Sequence, residues 1–353
     1  MTKQTLSILL AATVIVAGLV LLLANSGGTI GEFAGQSTFP EVAGKLDTID
    51  RIEISGVSEA VTLIKREGNW QVEERFAYPV EFGKLVRFID QLEVAEIAQR
   101  KTNRRANHEA LDLAGVELAG SATRRVQLHA GQSQLVDMLL GKSASKQSGQ
   151  YFRFIGDDQV WLLNQKFDIG ESPGAWLRQQ IIDIDQGQVL EVIQTSTAGE
   201  VIKMARHDTS GNFEVSNLPD GMELKYPSVA NSIAGGLAGL ELVDVGRATS
   251  RQWSDAATTL YRCRGGVSFR VLSKEIDGRH WIRIESEVET VPKEAGNVEQ
   301  GDNAAALDYA SLLHPWAFEV TNLSFAEFQK SADDLFKTLE NVQAKPSLSG
   351  KAM

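Results

Sequence analysis

Ser143-Ala144-Ser145-Lys146 has the spacing S-x-x-K. In that motif a lysine one helical turn from a serine takes the hydroxyl proton and leaves an oxygen nucleophile. The chemistry requires a helix with the pair inside the protein. Here the motif lies in KSASKQSGQ, a polar stretch between two strand patterns, and S-D-N and K-T-G are absent, so a solvated loop is expected. Gly141-Lys142-Ser143 echoes the end of a phosphate-binding loop. The first glycine of G-x-x-x-x-G-K-S falls on Val136, however, so the backbone cradle for phosphate is not encoded. Gly235-Gly236-Leu237-Ala238-Gly239 sits in an amphipathic helical pattern, where glycines serve close packing. His108, His129, His207, His280 and His314 are isolated from one another, without the i, i+4 pair of hydrolytic zinc motifs. Asp157-Asp158, Asp183 with Asp185, and Asp333-Asp334 could serve glycoside hydrolysis or calcium binding. Asp157-Asp158 follows Gly156 between two strands, which is ordinary turn chemistry. No residue is therefore assigned to catalysis, to a cofactor or to a metal.

Six tryptophans could line a carbohydrate or peptide groove. Trp70, Trp161, Trp176, Trp281 and Trp316 stand in apolar settings and are expected in the core; Trp253, in Arg251-Gln252-Trp253-Ser254, is expected to be exposed.

The elements around these residues are mostly strands. Ile52 and Ile54, then Val61 and Leu63, alternate with polar residues as half-buried strands do. Glu67-Gly68-Asn69 makes a turn into Trp70-Gln71-Val72. Tyr78-Pro79 precedes a helix with Phe82, Leu85, Val86, Ile89 and Leu92 on one face. The same order recurs in the second half. Val189–Val192 and Val201–Met204 are strands, Ser210-Gly211-Asn212 turns, and Phe213-Glu214-Val215 returns. Tyr226-Pro227 precedes a helix with Val229, Ile233, Leu237 and Leu240. Each half continues with a hairpin, around Ala130-Gly131 and around Gly265-Gly266. A further strand follows, Tyr151–Phe154 and Trp281–Ile284, and then a tryptophan in an apolar segment, Trp176 and Trp316. A last helix from Phe325 is expected to carry Phe325, Phe328, Leu335, Phe336 and Leu339, with Ser324 and Glu327 as its capping box. Pro292–Asn303 reads as a polar acidic loop.

At the N-terminus, Leu6–Leu23 runs LSILLAATVIVAGLVLLL without a charge. At 1.5 Å per residue it would span roughly 27 Å, near the hydrocarbon thickness of a bilayer. A membrane anchor is expected over a core helix, which would have a polar face, and over a cleaved signal, whose apolar core is shorter. Lys3 precedes the run and the next basic residue is Lys45, so the rest of the chain is placed on the extracytoplasmic side, the periplasm in a bacterium. The 353 residues carry a formal net charge of −11, which argues against nucleic-acid binding. The lone Cys263 excludes an intrachain disulfide framework.

A single anchor, I-x-I, a strand ending in Gly-Asn-Trp-Gln-Val, and Tyr-Pro before a helix together resemble the domain-of-unknown-function family DUF4340. Tyr151-Phe152-Arg153 followed by Gln159–Leu163 is similar to a later part of the same family. The resemblance implies a non-catalytic accessory of an ABC-type transport system of the gliding-motility or exporter kind, with a protein partner in that complex. It brings no catalytic residues. The expected architecture is α+β: anchor 1–24, tether 25–44, two similar β-rich lobes each with an amphipathic helix at 45–185 and 186–341, and a disordered tail 342–353. A cell-envelope hydrolase built from dispersed acids, or a purely structural scaffold, are the alternatives.

Overall fold

Short-range turn chemistry sets the strand pairing. Glu67 and Gly68 both take positive φ, as do Asp277 and Gly278, and two such residues in a row make the tight turn whose twist matches a hairpin. A computed structural model describes residues 36–145, 148–170, 172–207, 211–226, 228–288 and 302–339. It is mostly β with few helices. The chain divides into two units at Arg178/Gln179, a few residues before the expected boundary.

In the first unit the strands are β1 (Arg51–Ser55), β2 (Ala60–Arg66), β3 (Asn69–Val72), β4 (Tyr78–Pro79), β5 (Ile97–Arg100), β6 (Arg124–Ala130), β7 (Ser133–Ser143), β8 (Gln150–Phe154) and β9 (Trp161–Leu163). They form one antiparallel sheet in the order β4-β3-β2-β1-β6-β7-β8-β9-β5. Ile52, Ile54, Val61, Leu63, Trp70, Val72, Val126 and Leu128 are buried at every second position, the period that puts them on one face. Helix α1 (Phe82–Glu93) buries Leu85, Phe88, Ile89 and Leu92. Phe82, expected in that stripe, is exposed; it is the first helical residue, and Phe88 completes the stripe instead. Phe88 meets Phe167 and Trp176 edge-on at 6.0 and 5.9 Å.

The second unit contains β10 (Gln180–Ile182), β11 (Val189–Thr195), β12 (Val201–Arg206), β13 (Phe213–Val215), β14 (Met222–Leu224), β15 (Leu240–Glu241), β16 (Asp244–Arg247), β17 (Ala257–Cys263), β18 (Val267–Ile276), β19 (Arg279–Val288), β20 (Trp316–Glu319) and β21 (Phe336–Thr338). Its main sheet runs β13-β12-β11-β17-β18-β19-β20-β16. That is the connection order of the first sheet from β3 to β5, strand for strand. Two small pairs, β10 with β15 and β14 with β21, lie outside it.

Three expectations are corrected. Helix α2 (Val229–Ala234) stops at Gly235, so the glycine run closes the helix and Leu240 belongs to β15. At Gly236 a Cβ would come within 2.6 Å of the Tyr261 hydroxyl, so the residue is held to glycine by packing. The last segment is α4 (Asn322–Glu327) and α5 (Ala332–Leu335), after α3 (Asp302–Leu313), rather than one helix. Thr321 caps α4, the capping box is Ser331 with Asp334, and Phe336 starts a strand, leaving Leu339 half exposed. Residues 37–44, expected in the tether, are folded: Phe39 and Val42 are buried, and Thr38 N–H donates to the Ala95 carbonyl at 2.7 Å.

The expected anchor Leu6–Leu23, most of the tether, the acidic loop up to residue 301 and the tail lie outside the described residues. Among those described, no helix is long and apolar enough to cross a membrane.

Candidate functional site

The candidate nucleophile is on a strand. Ser143 ends β7 opposite Gln150 and is exposed, while Lys146 lies outside the described residues. Gly141 is pressed against the Leu111 carbonyl, which a Cβ would meet at 2.2 Å. The carboxylate pairs are spent on local structure. Asp157 accepts the Gln159 N–H at 2.9 Å, Asp183 accepts the Gly239 N–H at 2.8 Å, and Asp185 accepts the Gly187 N–H at 2.7 Å. Asp158 receives Arg105 Nε on both oxygens, and this guanidinium bond holds its carboxyl below the usual range. Hydrogen bonds from the Ser331 backbone and hydroxyl do the same for Asp334. Among the histidines, His108 is buried with Nε2 at 3.0 Å from the Asp158 carbonyl, His314 Nε2 accepts the Ser286 N–H at 2.9 Å, and His280 stacks on Phe325. No group of metal-ligating side chains converges among the described residues. Trp253 is buried, contrary to expectation: its indole N–H donates to the Ala248 carbonyl at 3.1 Å and its ring packs with Trp281 and Ala317.

The structure draws attention elsewhere, to the edge strands β5 and β16. Each ends in an arginine paired across the ladder with the first tryptophan of its neighbour, Arg100 with Trp161 and Arg247 with Trp316. The guanidiniums lie 5.7 and 4.5 Å from the ring centroids, within cation–π range. Both arginines open the same sequence, Arg-x-Thr-x-Arg: Arg100-Lys101-Thr102-Asn103-Arg104 and Arg247-Ala248-Thr249-Ser250-Arg251. Both follow Leu-Glu-[Val/Leu], at Leu92-Glu93-Val94 and Leu240-Glu241-Leu242. This motif was readable and was missed, because strand patterning ranks residues by hydropathy and passes over arginines at strand ends.

In the first unit the segment after β5 crosses the second face of the sheet. Leu113, Leu139 and Val160 form a small satellite core there, with Leu111, Val116 and Tyr151 against it. Beside this core opens a cleft of about 460 Å³ lined by Gln99, Arg100, Lys101, Thr102, Asn107, Ala110, Leu111 and Tyr151. Lys101 Nζ lies 5.9 Å from the Tyr151 ring and donates to Gln99 Oε1 at 2.5 Å. Partial burial pushes the Lys101 ammonium down from the ordinary lysine value. Arg100 Nε is held by Gln159 Oε1 at 2.9 Å, and Asn107 Nδ2 donates to Thr102 Oγ1 at 3.0 Å. Cations, amides and a hydroxyl thus share one concavity with an aromatic ring, a composition suited to binding a polar anionic ligand.

The family described as Domain of unknown function (DUF4340) matches residues 70–259, more than half of the chain. The chain belongs to the DUF4340 family. The DUF4340 match takes in both Arg-x-Thr-x-Arg segments and the cleft, although β1 and β2 at one end and β18 to β21 at the other fall outside it. No curated protein and no solved structure gives a significant match.

Proposed function

We propose that this chain is a membrane-tethered extracytoplasmic binding subunit, an accessory of an ABC-type transport system that holds a ligand or partner without transforming it. The observation that carries the binding role is the cationic, aromatic-lined cleft beside β5. Its charged groups are steadied by ring and amide contacts, whereas the acids and the serine considered for hydrolysis are turn caps, ion pairs or an exposed strand end. The tether is argued from the uncharged run Leu6–Leu23 with Lys3 before it. The transport association is what the DUF4340 resemblance implies, and the protein partner is sought there.

Affinity capture of the tagged full chain from native membranes tests the association. Repeated co-recovery of an ATPase and a permease subunit is expected, and their consistent absence would remove the transport role. Protease added to intact spheroplasts is expected to digest the body, and protection of the body would overturn its extracytoplasmic placement.

A further inference from the structure

The two ends of the first sheet are finished differently. At the β4 end the chain covers its own edge: Val80 bridges Leu177, and the Arg178 N–H donates to the Pro79 carbonyl at 3.0 Å. At the β5 end the cover is a single antiparallel bridge, Ser37 with Glu96, beside the bond from the Thr38 N–H to the Ala95 carbonyl. Past Glu96 the ladder is one-sided. The Lys101 N–H donates to the Val160 carbonyl at 2.9 Å, and the Thr102 carbonyl accepts the Val160 N–H at 2.8 Å, both on the β9 side. Alternation along an antiparallel strand then points the Arg100 N–H and carbonyl away from β9. Among the described residues no backbone group meets them there. Such an edge is a template for an added strand.

The cations at this edge are unmatched as well. Lys101 Nζ donates to a neutral amide oxygen, Gln99 Oε1, at 2.5 Å. Arg100 Nε donates to another, Gln159 Oε1, at 2.9 Å, and its guanidinium lies over Trp161. Neither makes an ion pair among the described residues, and nor does the exposed Arg104. Arg105 is neutralised by Asp158. The chain has 46 acidic residues against 35 basic ones, and elsewhere in the same sheet Arg125 pairs with Asp137 and Arg66 with Glu73. Three cations without a carboxylate thus stand beside unpaired backbone. The cleft borders both, since Gln99, Arg100, Lys101 and Thr102 are consecutive residues of its lining.

We propose that this edge binds an acidic peptide, an extended segment of a partner protein that hydrogen-bonds the open backbone at Arg100 and sets a Glu or Asp carboxylate against Lys101. The carboxylate gives the ammonium a charged acceptor in place of an amide oxygen, the stronger kind of hydrogen bond. Backbone bonds along the edge supply affinity, and the side chain that enters the cleft supplies the choice of partner. The Tyr151 ring keeps Lys101 over it and is no part of the peptide's seat.

This inference rests on the binding role proposed above and names the class of partner. The test is fluorescence anisotropy on the full chain purified in detergent. The probe is a labelled acetyl-Thr-Val-Glu-Val-Glu-Val-Thr-amide, set against the same peptide with Gln for Glu. It is expected to bind at least about tenfold more tightly than the Gln peptide, the scale of one charge-assisted hydrogen bond. Lys101→Gln should lose about tenfold for the same reason. Arg66→Gln, at the other end of the sheet, should leave binding unchanged. Two further probes carry N-methyl groups, one at the valines and one at the glutamates. One of them should lose binding and the other keep it, because alternate N–H groups of an added strand face the edge. Thermal melts of each variant separate lost binding from lost folding.

The proposal is overturned by equal binding of the Gln peptide, or by full affinity in both N-methylated peptides. Displacement of the probe by inorganic phosphate at the peptide's own concentration, or no peptide bound at millimolar concentration, would also overturn it. A folded Lys101→Gln protein that aggregates while binding the peptide as before would show that the cations only guard the edge. Transporter subunits recovered while no peptide binds would sink the acidic peptide and keep the accessory role. Peptide binding without any transporter subunit would do the reverse.

Discussion

The Tyr261 hydroxyl and Gly236 form a pair whose coupling can be measured. Tyr261 is fully buried, its hydroxyl donates to the Ile233 carbonyl at 2.9 Å, and its ring meets Phe328 edge-on at 6.4 Å. Tyr261→Phe removes that donor, but the Ile233 carbonyl keeps the Gly236 N–H at 3.0 Å. The loss therefore falls at the low end for a buried hydrogen bond, about 1 kcal/mol. Gly236→Ala places a methyl 2.6 Å from the hydroxyl, 3.2 Å from the Ile233 carbonyl and 3.3 Å from a Phe328 ring carbon. None of these neighbours is the free end of a flexible chain, so overpacking should cost about 1–3 kcal/mol. In the Tyr261→Phe background the closest of the three contacts is gone. Gly236→Ala should then cost less by about 1 kcal/mol or more, well outside ordinary additivity. Urea unfolding of the four proteins, followed by tryptophan fluorescence with unchanged slopes, measures the cycle. Additive losses, agreeing to within about 0.5 kcal/mol, would refute the hydroxyl as the atom that requires glycine.

Two further outcomes follow from burial and backbone geometry. Burial pushes the Cys263 thiol up from 9.0 to about 11, so the native state holds this proton more tightly than the unfolded chain does. Its stabilising effect is complete below about pH 9 and is lost as pH climbs toward 11, by roughly 3 kcal/mol in all. Thiol-reagent kinetics across pH should show a native thiol that ionises near 11, and a native titration near 9 would contradict the burial. Gly149 sits at φ 132°, where a Cβ would lie 2.1 Å from the Leu163 carbonyl. Gly149→Ala should destabilise the β8–β9 edge by at least about 2 kcal/mol; a melt equal to wild type would show that this approach of two backbones is not needed.

The architecture was legible where burial alternates and turns are tight. Ile52, Ile54, Val61 and Leu63 announce β1 and β2, and Glu67-Gly68 and Gly265-Gly266 fall between paired strands, because hydropathy with period two and positive φ are local properties. Helix ends were less legible. The spacing of Val229, Ile233, Leu237 and Leu240 fits a helix, yet the helix stops at Gly235 and Leu240 pairs with Ile182 in a strand. Phe325 to Leu339 likewise fits one stripe, but Phe336 pairs with Leu224 in a strand. Tertiary partners decide such cases, and periodicity does not contain them. Trp253 was misjudged for the same reason, since polar neighbours in sequence say nothing about the Ala248 carbonyl that receives its indole.

The cleft was hidden from sequence reading for a more general reason: its lining comes from stretches that only the ladder brings together. Considered alone, either Arg-x-Thr-x-Arg segment is a short basic run on a solvated surface. Arg100 meets Trp161 because β5 pairs with β9, and Tyr151 joins the row of Gln99 because β8 pairs with β9 as well, with Leu162 between them. The short turns after Thr102 bring Asn107, Ala110 and Leu111 against those strands. Lys101 lies over the Tyr151 ring and hydrogen-bonds Gln99, so one cation is placed by two strands far apart in sequence. Strand pairing fixes such a row to the residue, whereas hydropathy with period two fixes only the face on which a residue stands.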